Sequence, residues 1–82
     1  MYTKYIILKK NFAPIIFSPA LQHCDVAEPY GGKEAVRSAG FFFLSVVEGE
    51  VKVTCFGGST SLGGILCTDE DSVILFNVIC IK

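Results

Sequence analysis

The chain has 82 residues and a formal net charge of −1, with seven basic and eight acidic residues mixed along its length. No basic stripe is present to neutralise a nucleic-acid backbone, which argues against long DNA or RNA as a partner but leaves room for a small anion needing one or two cations. The composition is 51% hydrophobic and only 18% charged, and its seven Phe and three Tyr exceed what one small core hides, so apolar surface is expected between the subunits of a homo-oligomer.

The opening run "MYTKYIILKKNF" has a three-residue apolar centre flanked by lysines and no small-residue cleavage site, so it is not expected to be a secretory leader. No uninterrupted apolar stretch approaches the length of a membrane span, and the expected location is the cytoplasm. The runs 2–10 and 13–18 are rich in β-branched and aromatic residues with Asn11 between them, which predicts two short strands or one bent strand. Pro14 lacks an N–H for a ladder and belongs at a sheet edge or a strand start.

In "SPALQHCDVAEPY", Ser18 suits an N-cap and Pro19 the first helical position. A helix of about two turns is expected there, stopped by Pro29 and turned by Gly31 and Gly32. The segment "AVRSAGFFFLSVVEGEVKVTCFGG" predicts a β-hairpin turning at Glu48–Gly49, with Val47 facing Glu50. In that register Gly40, Phe42, Leu44 and Val46 share an apolar face with Val51, Val53 and Cys55. The other face carries Phe41, Phe43, Ser45 and Val47 beside Glu50, Lys52, Thr54 and Phe56, and it calls for a second cover, such as another subunit.

"TCFGGSTSLGG" follows the hairpin and has the look of an anion loop. The spacing from Gly58 to Gly63 matches a phosphate-binding P-loop, but Gly64 and Ile65 stand where lysine and Ser/Thr are needed, so it is not a nucleotide-hydrolase loop. The dinucleotide and serine-hydrolase glycine patterns are also absent. His23 and Cys24 are neighbours that diverge on a helix, and no complete acid–base set can be assembled, so no enzymatic activity is expected. What remains is a small-ligand site lined by the backbone of Gly57 and Gly58 and the hydroxyls of Ser59, Thr60 and Ser61. Gly40 faces Gly57 in the hairpin register, which brings Arg37 and Ser38 to the same end of the sheet as a cation and a hydroxyl. His23 completes the candidate set. The alternative is a connecting loop beside a solvated arginine, with His23 a surface or helix-end histidine.

"TDEDSVILFNVICIK" leaves two readings open. Thr68 and Asp71 have capping-box spacing with acids in the first turn, which favours helix over 69–81, whereas the β-branched content favours strand. The cysteines, Cys24, Cys55, Cys67 and Cys80, form no C-x-x-C pair and there is one histidine, so no metal is expected; without a secretion route the thiols are expected to stay reduced as small core residues, and no cofactor is expected. The fold class is α+β: a small antiparallel sheet of three to five strands with one or two short helices.

The segments "LQHCDVA", "SAGFF", "VTCFGGSTSLGG" and "TDEDSVIL" resemble those of small uncharacterised accessory proteins of tailed phages and prophages. The resemblance is carried by His23, Asp25, Ser38, Gly40, Gly57, Ser59 and Leu62. The extra glycine at Gly57–Gly58 and the β-branched tail depart from it. It implies a binding role inside a host cell, either sequestering a nucleotide signal of antiviral defence or capping a host protein. Three functions follow as expectations: an oligomer that binds a small anion; a module that inhibits a host factor through Phe41, Phe43 and Phe56; and a structural oligomer without a ligand.

Overall fold

Residues 2–80 are described by a computed structural model. The apolar N-terminal run forms β1 (Thr3–Leu8), and β2 (Pro14–Phe17) returns beside it. Between them a short 3-10 turn holds Asn11 and Phe12 at φ 58° and 51°. The hairpin forms β3 (Val36–Val47) and β4 (Glu50–Phe56), and all four strands make one antiparallel sheet in the order β2-β1-β3-β4. Two residues each of β5 (Gly58–Ser59) and β6 (Ile65–Leu66) pair into a small second sheet. Helices α1 (His23–Ala27) and α2 (Asp71–Ile79) complete an α+β fold. Among the described residues no helix is long and apolar enough to cross a membrane.

The hairpin register is the one its turn chemistry dictates. Val47 pairs with Glu50, and the ladder runs without a slip to Phe41 and Phe56. Glu48 and Gly49 both take positive φ, 53° and 82°, the combination whose twist matches the flanking strands. Gly40 has a different reason to be glycine. A Cβ there would stand 2.7 Å from the Phe56 carbonyl oxygen and 3.4 Å from the Cys67 Cβ, where the chain crosses the sheet on its way to α2.

Two cores result, one on each face. Tyr5, Ile7, Phe42 and Val53 pack under Leu75 of α2, while Ile6, Val36 and Ala39 pack under Ala27 of α1 and Leu62 of the glycine-rich loop. The second face thus receives part of its cover from the chain itself, where the composition had suggested another subunit. Covering is incomplete on the first face. At 1.5 Å per residue the nine-residue α2 reaches ~14 Å, whereas the twelve-residue β3 runs ~40 Å. Leu44, Val46 and Val51 near the turn therefore stay exposed, Val46 by 71%.

One local expectation is corrected. Ser18 starts a turn rather than a helix: its hydroxyl accepts from the Ala20 N–H at 3.1 Å and its carbonyl from the Leu21 N–H at 3.1 Å. Gln22 is then extended, at φ −90° and ψ 145°, and the helix begins only at His23. The Leu21 carbonyl is engaged by Lys4 Nζ at 2.7 Å, a tertiary bond that no local pattern announces. The α-helix does close before Pro29, ending at Ala27, and the proline itself sits in the first turn of a 3-10 segment continuing through Tyr30, where a missing N–H costs nothing. Gly31, at φ 116°, ends it.

At the C-terminus the helix prevails. Asp71 is wholly buried and accepts from both the N–H and the hydroxyl of Thr68, at 3.0 and 2.6 Å. Both bonds are donated by Thr68 to the carboxylate, and the Asp71 N–H donates to the Thr68 carbonyl, which holds the first turn against the β-branched tail that follows. Ile81, the last residue of the expected element, lies outside the described residues.

Candidate functional site

The sheet face that carries α1 opens into a cleft of about 410 Å³. Its wall is made by Lys4 of β1, Phe41 of β3, Gln22 and His23 at the start of α1, and the run from Gly58 to Ser61. Lys4 and Phe41 are partners in the β1–β3 ladder, so their side chains emerge on the same face. The Lys4 ammonium lies 5.8 Å from the centre of the Phe41 ring. It spends one donor on Leu21 and has three in all.

His23 is buried and wedged edge-on between Phe17 and Phe41, with ring centres 5.4 and 5.5 Å away. Its Nε2 lies 3.0 Å from the Gly40 carbonyl oxygen and therefore carries the proton and donates it. Burial pushes the imidazole below its ordinary pKa. The Gly40 carbonyl works in the opposite direction, and the nearby Lys4 charge adds to the lowering. His23 thus stands at the cleft as a neutral ring fixed by the fold.

The loop hydroxyls divide by task. Ser59 Oγ is buried, accepts from the Leu62 N–H at 3.2 Å and lies 3.1 Å from Ser61 Oγ. Ser61 Oγ in turn accepts from the Cys24 N–H at 3.1 Å. It thereby serves α1 as an N-cap supplied from 37 residues away, in place of the local cap that Gln22 does not provide. Thr60 is exposed and its hydroxyl is not part of this chain of bonds. Gly57 lies where the chain leaves β4, at φ 72°, with no room for a side chain beside the Phe41 ring.

The structure thus gathers His23, Gly58, Ser59, Thr60 and Ser61 around one cleft, with Gly57 at its margin. It does not bring Arg37 and Ser38 there. Ser38 shares its face with Gly40 and Phe42, toward α2, and its hydroxyl donates to Asp71 at 2.9 Å. Arg37 has no partner in β1, because the ladder passes from Ile7–Ser38 to Leu8–Val36. This bulge turns Arg37 to the α2 side as well. There its guanidinium pairs with Glu70, stands 3.7 Å from Asp71 and covers the Phe12 ring at 4.4 Å.

Asp71 is the centre of this second network. Besides Thr68 and Ser38 it accepts from the Tyr5 hydroxyl at 2.5 Å. Burial, followed by that bond to Asp71, pushes the Tyr5 phenol far above its usual range. Burial also pushes the Cys55 thiol up to about 11, which keeps it protonated and inert as a nucleophile at neutral pH. All four cysteines are free thiols, and among the described residues no cluster of three or more His, Cys, Asp or Glu side chains is placed to hold a metal.

The cation of the cleft is therefore Lys4, which sequence reasoning missed. Lys4 shares its strand face with the buried Ile6, so no local pattern marks it for a cleft. Only the pairing of β1 with β3 brings it to the loop. Compared with protein-family models, curated proteins and solved structures, the chain matches none.

Proposed function

We propose that this protein is a non-enzymatic accessory protein of phage type, forming a small oligomer in the cytoplasm of a host cell and binding a small anionic ligand, of the size of a nucleotide signal, in the cleft at Lys4. The observation that carries the reading is a lysine ammonium with donors to spare, set in a 410 Å³ cleft beside a glycine–hydroxyl loop. The volume suits a small ligand. Phe41 on the wall offers a ring on which a base can stack, and the exposed Thr60 lines the same cleft as Lys4. Support for binding without chemistry comes from the neighbours. His23 is buried and donates Nε2–H to Gly40, and the Ser59 and Ser61 oxygens accept from the Leu62 and Cys24 amides, so all three side chains hold the fold.

Titration with pyrophosphate and with ADP, followed by amide NMR, tests it. Resonances of Gly58 to Ser61 should move, and Lys4→Ala should weaken binding by roughly tenfold, as expected for loss of one charge-assisted contact. Arg37→Ala should leave it unchanged. Absence of any shift at millimolar probe, or equal binding by Lys4→Ala, would sink the reading.

A second reading, inhibition of a host protein through an aromatic face, is favoured by one observation. Tyr2, Phe41, Phe43 and Phe56 form a continuous ring cluster with centre distances of 5.2 to 6.0 Å, and all but Phe41 are well exposed. Alanine at Phe43 and Phe56 together would abolish that activity and leave pyrophosphate binding intact.

A further inference from the structure

We infer that the free edge of β4, together with the side of α2 that overhangs it, forms a two-fold interface with a second copy of this chain. The inference deepens the oligomeric half of the proposed function and does not depend on what the Lys4 cleft binds.

The two edges of the main sheet are unlike. The outer strand β2 is short, four residues, and starts with Pro14, which removes a donor from the edge. The outer strand β4 is seven residues long and contains no proline, and its pairing with β3 has no bulge. The two-residue turn makes Val47 and Glu50 a hydrogen-bonded pair, so by alternation the N–H and C=O groups of Val51, Val53 and Cys55 point away from β3. Outside the β3–β4 ladder, no backbone hydrogen bond among the described residues uses them. Val51 is 42% exposed and Val53 7%, so the unpaired row is most accessible toward the turn, and an unpaired row is a template for another strand.

Beside this edge lies a groove that is polar at the Asp69 end and apolar at the Phe76 end. Two hollows of about 250 and 290 Å³ share Lys52, Val53 and Ser72 and so form one channel between β4 and α2. Its helical wall carries Val73 and Phe76, which are 61% and 41% exposed, and its strand wall carries Val51 at 42%. Ser72, Val73 and Phe76 have the spacing of one helix side, and the spacing leaves that side with no partner in its own chain.

One occupant satisfies both features. If β4 pairs antiparallel with β4 of another copy about an axis through Val53, Val51 meets Cys55, Lys52 meets Thr54 and Glu50 meets Phe56. All seven residues then pair, and every outward N–H and C=O of Val51, Val53 and Cys55 finds a partner. Sliding the register by two toward the turn would set Lys52 against Lys52, a like-charge pair that disfavours it. The same axis lays the two α2 helices side by side, so that Val73 and Phe76 of one copy cover those of the other. An extended peptide would pair the edge and leave the helix side open. A strand and two helical turns make a small patch, which points to a dissociation constant on the order of micromolar.

The test is sedimentation velocity across micromolar to submillimolar concentrations, combined with amide hydrogen exchange on the full chain. The expected result is a monomer–dimer equilibrium in which the amides of Val51, Val53 and Cys55 become protected as the dimer forms. Val73→Glu, at an exposed position, should weaken the dimer roughly tenfold or more. Tyr30→Ser, exposed beside α1, should not. A monomer at submillimolar concentration overturns both this inference and the oligomeric half of the proposed function. An oligomer in which those three amides exchange as fast as at dilution overturns the interface alone. So does an oligomer untouched by Val73→Glu, or an edge protected only when an extended peptide is added.

Discussion

Two buried polar residues set the behaviour of this molecule at the residue scale. Asp71 has its carboxylate saturated by Thr68, Ser38 and Tyr5, so Asp71→Asn replaces charge-assisted bonds with neutral ones and turns an amide toward two hydroxyl donors. The expected cost is about 2–3 kcal/mol. Urea denaturation should show the midpoint falling with the slope unchanged. His23 gives a pH signature. Its folded pKa lies below the ordinary 6.5, so the unfolded chain takes up the proton first. Stability from this group is fully present above about pH 6.5 and is lost as pH falls from there through the folded pKa. Thermal melts at pH 7.5 and 5.5 should show wild type losing more than His23→Gln, in which an amide donates to Gly40 without titrating. An equal loss in both would rule the histidine out as the source.

At the scale of elements, the hairpin and α2 are where local chemistry was most informative. The Glu48–Gly49 turn set the β3–β4 register, which the sequence predicts residue for residue. Glu48 is still the wrong residue for φ 53°, because left-handed backbone crowds its Cβ and asparagine tolerates it better. Glu48→Asn should therefore stabilise the protein by about 0.5–1 kcal/mol, read as a higher urea midpoint. For α2, the Thr68–Asp71 cap outweighed a run of β-branched residues whose strand preference is a weak, context-dependent force. The first helix was less legible. Ser18 makes the local bonds that start a turn, but the chain turns extended at Gln22, and α1 takes its cap from Ser61 across the fold. A cap supplied from so far along the chain leaves no local pattern to read.

On the scale of the whole molecule, the Lys4 cleft and the β4 edge lie on separate parts of the sheet. Lys4 pairs with residues of β2 and β3, while the open groups of β4 face away from both. Lys4→Ala should accordingly lower pyrophosphate affinity without changing the sedimentation profile. Val73→Glu should do the reverse. The apolar surplus in the composition also finds a physical account here. A helix of nine residues is too short for a strand of twelve, so Leu44, Val46, Val51 and the outer side of α2 remain uncovered in a single copy.

By itself the sequence determined what depends on near neighbours: an α+β chain, a two-residue hairpin turn with its register, a proline-marked edge strand, a capped C-terminal helix, and a glycine–hydroxyl loop after β4. These are settled by backbone dihedrals, by side chains bonding three residues away, and by alternation across a pleat. The tertiary structure alone decided which charge lines the cleft beside that loop. Strand order made Lys4 the neighbour of Phe41, and one bulge turned Arg37 to the far face to hold Glu70 and flank Asp71. Pairing between strands some 35 residues apart depends on the sum of many weak contacts, and a single slip of one residue reverses every side chain it carries.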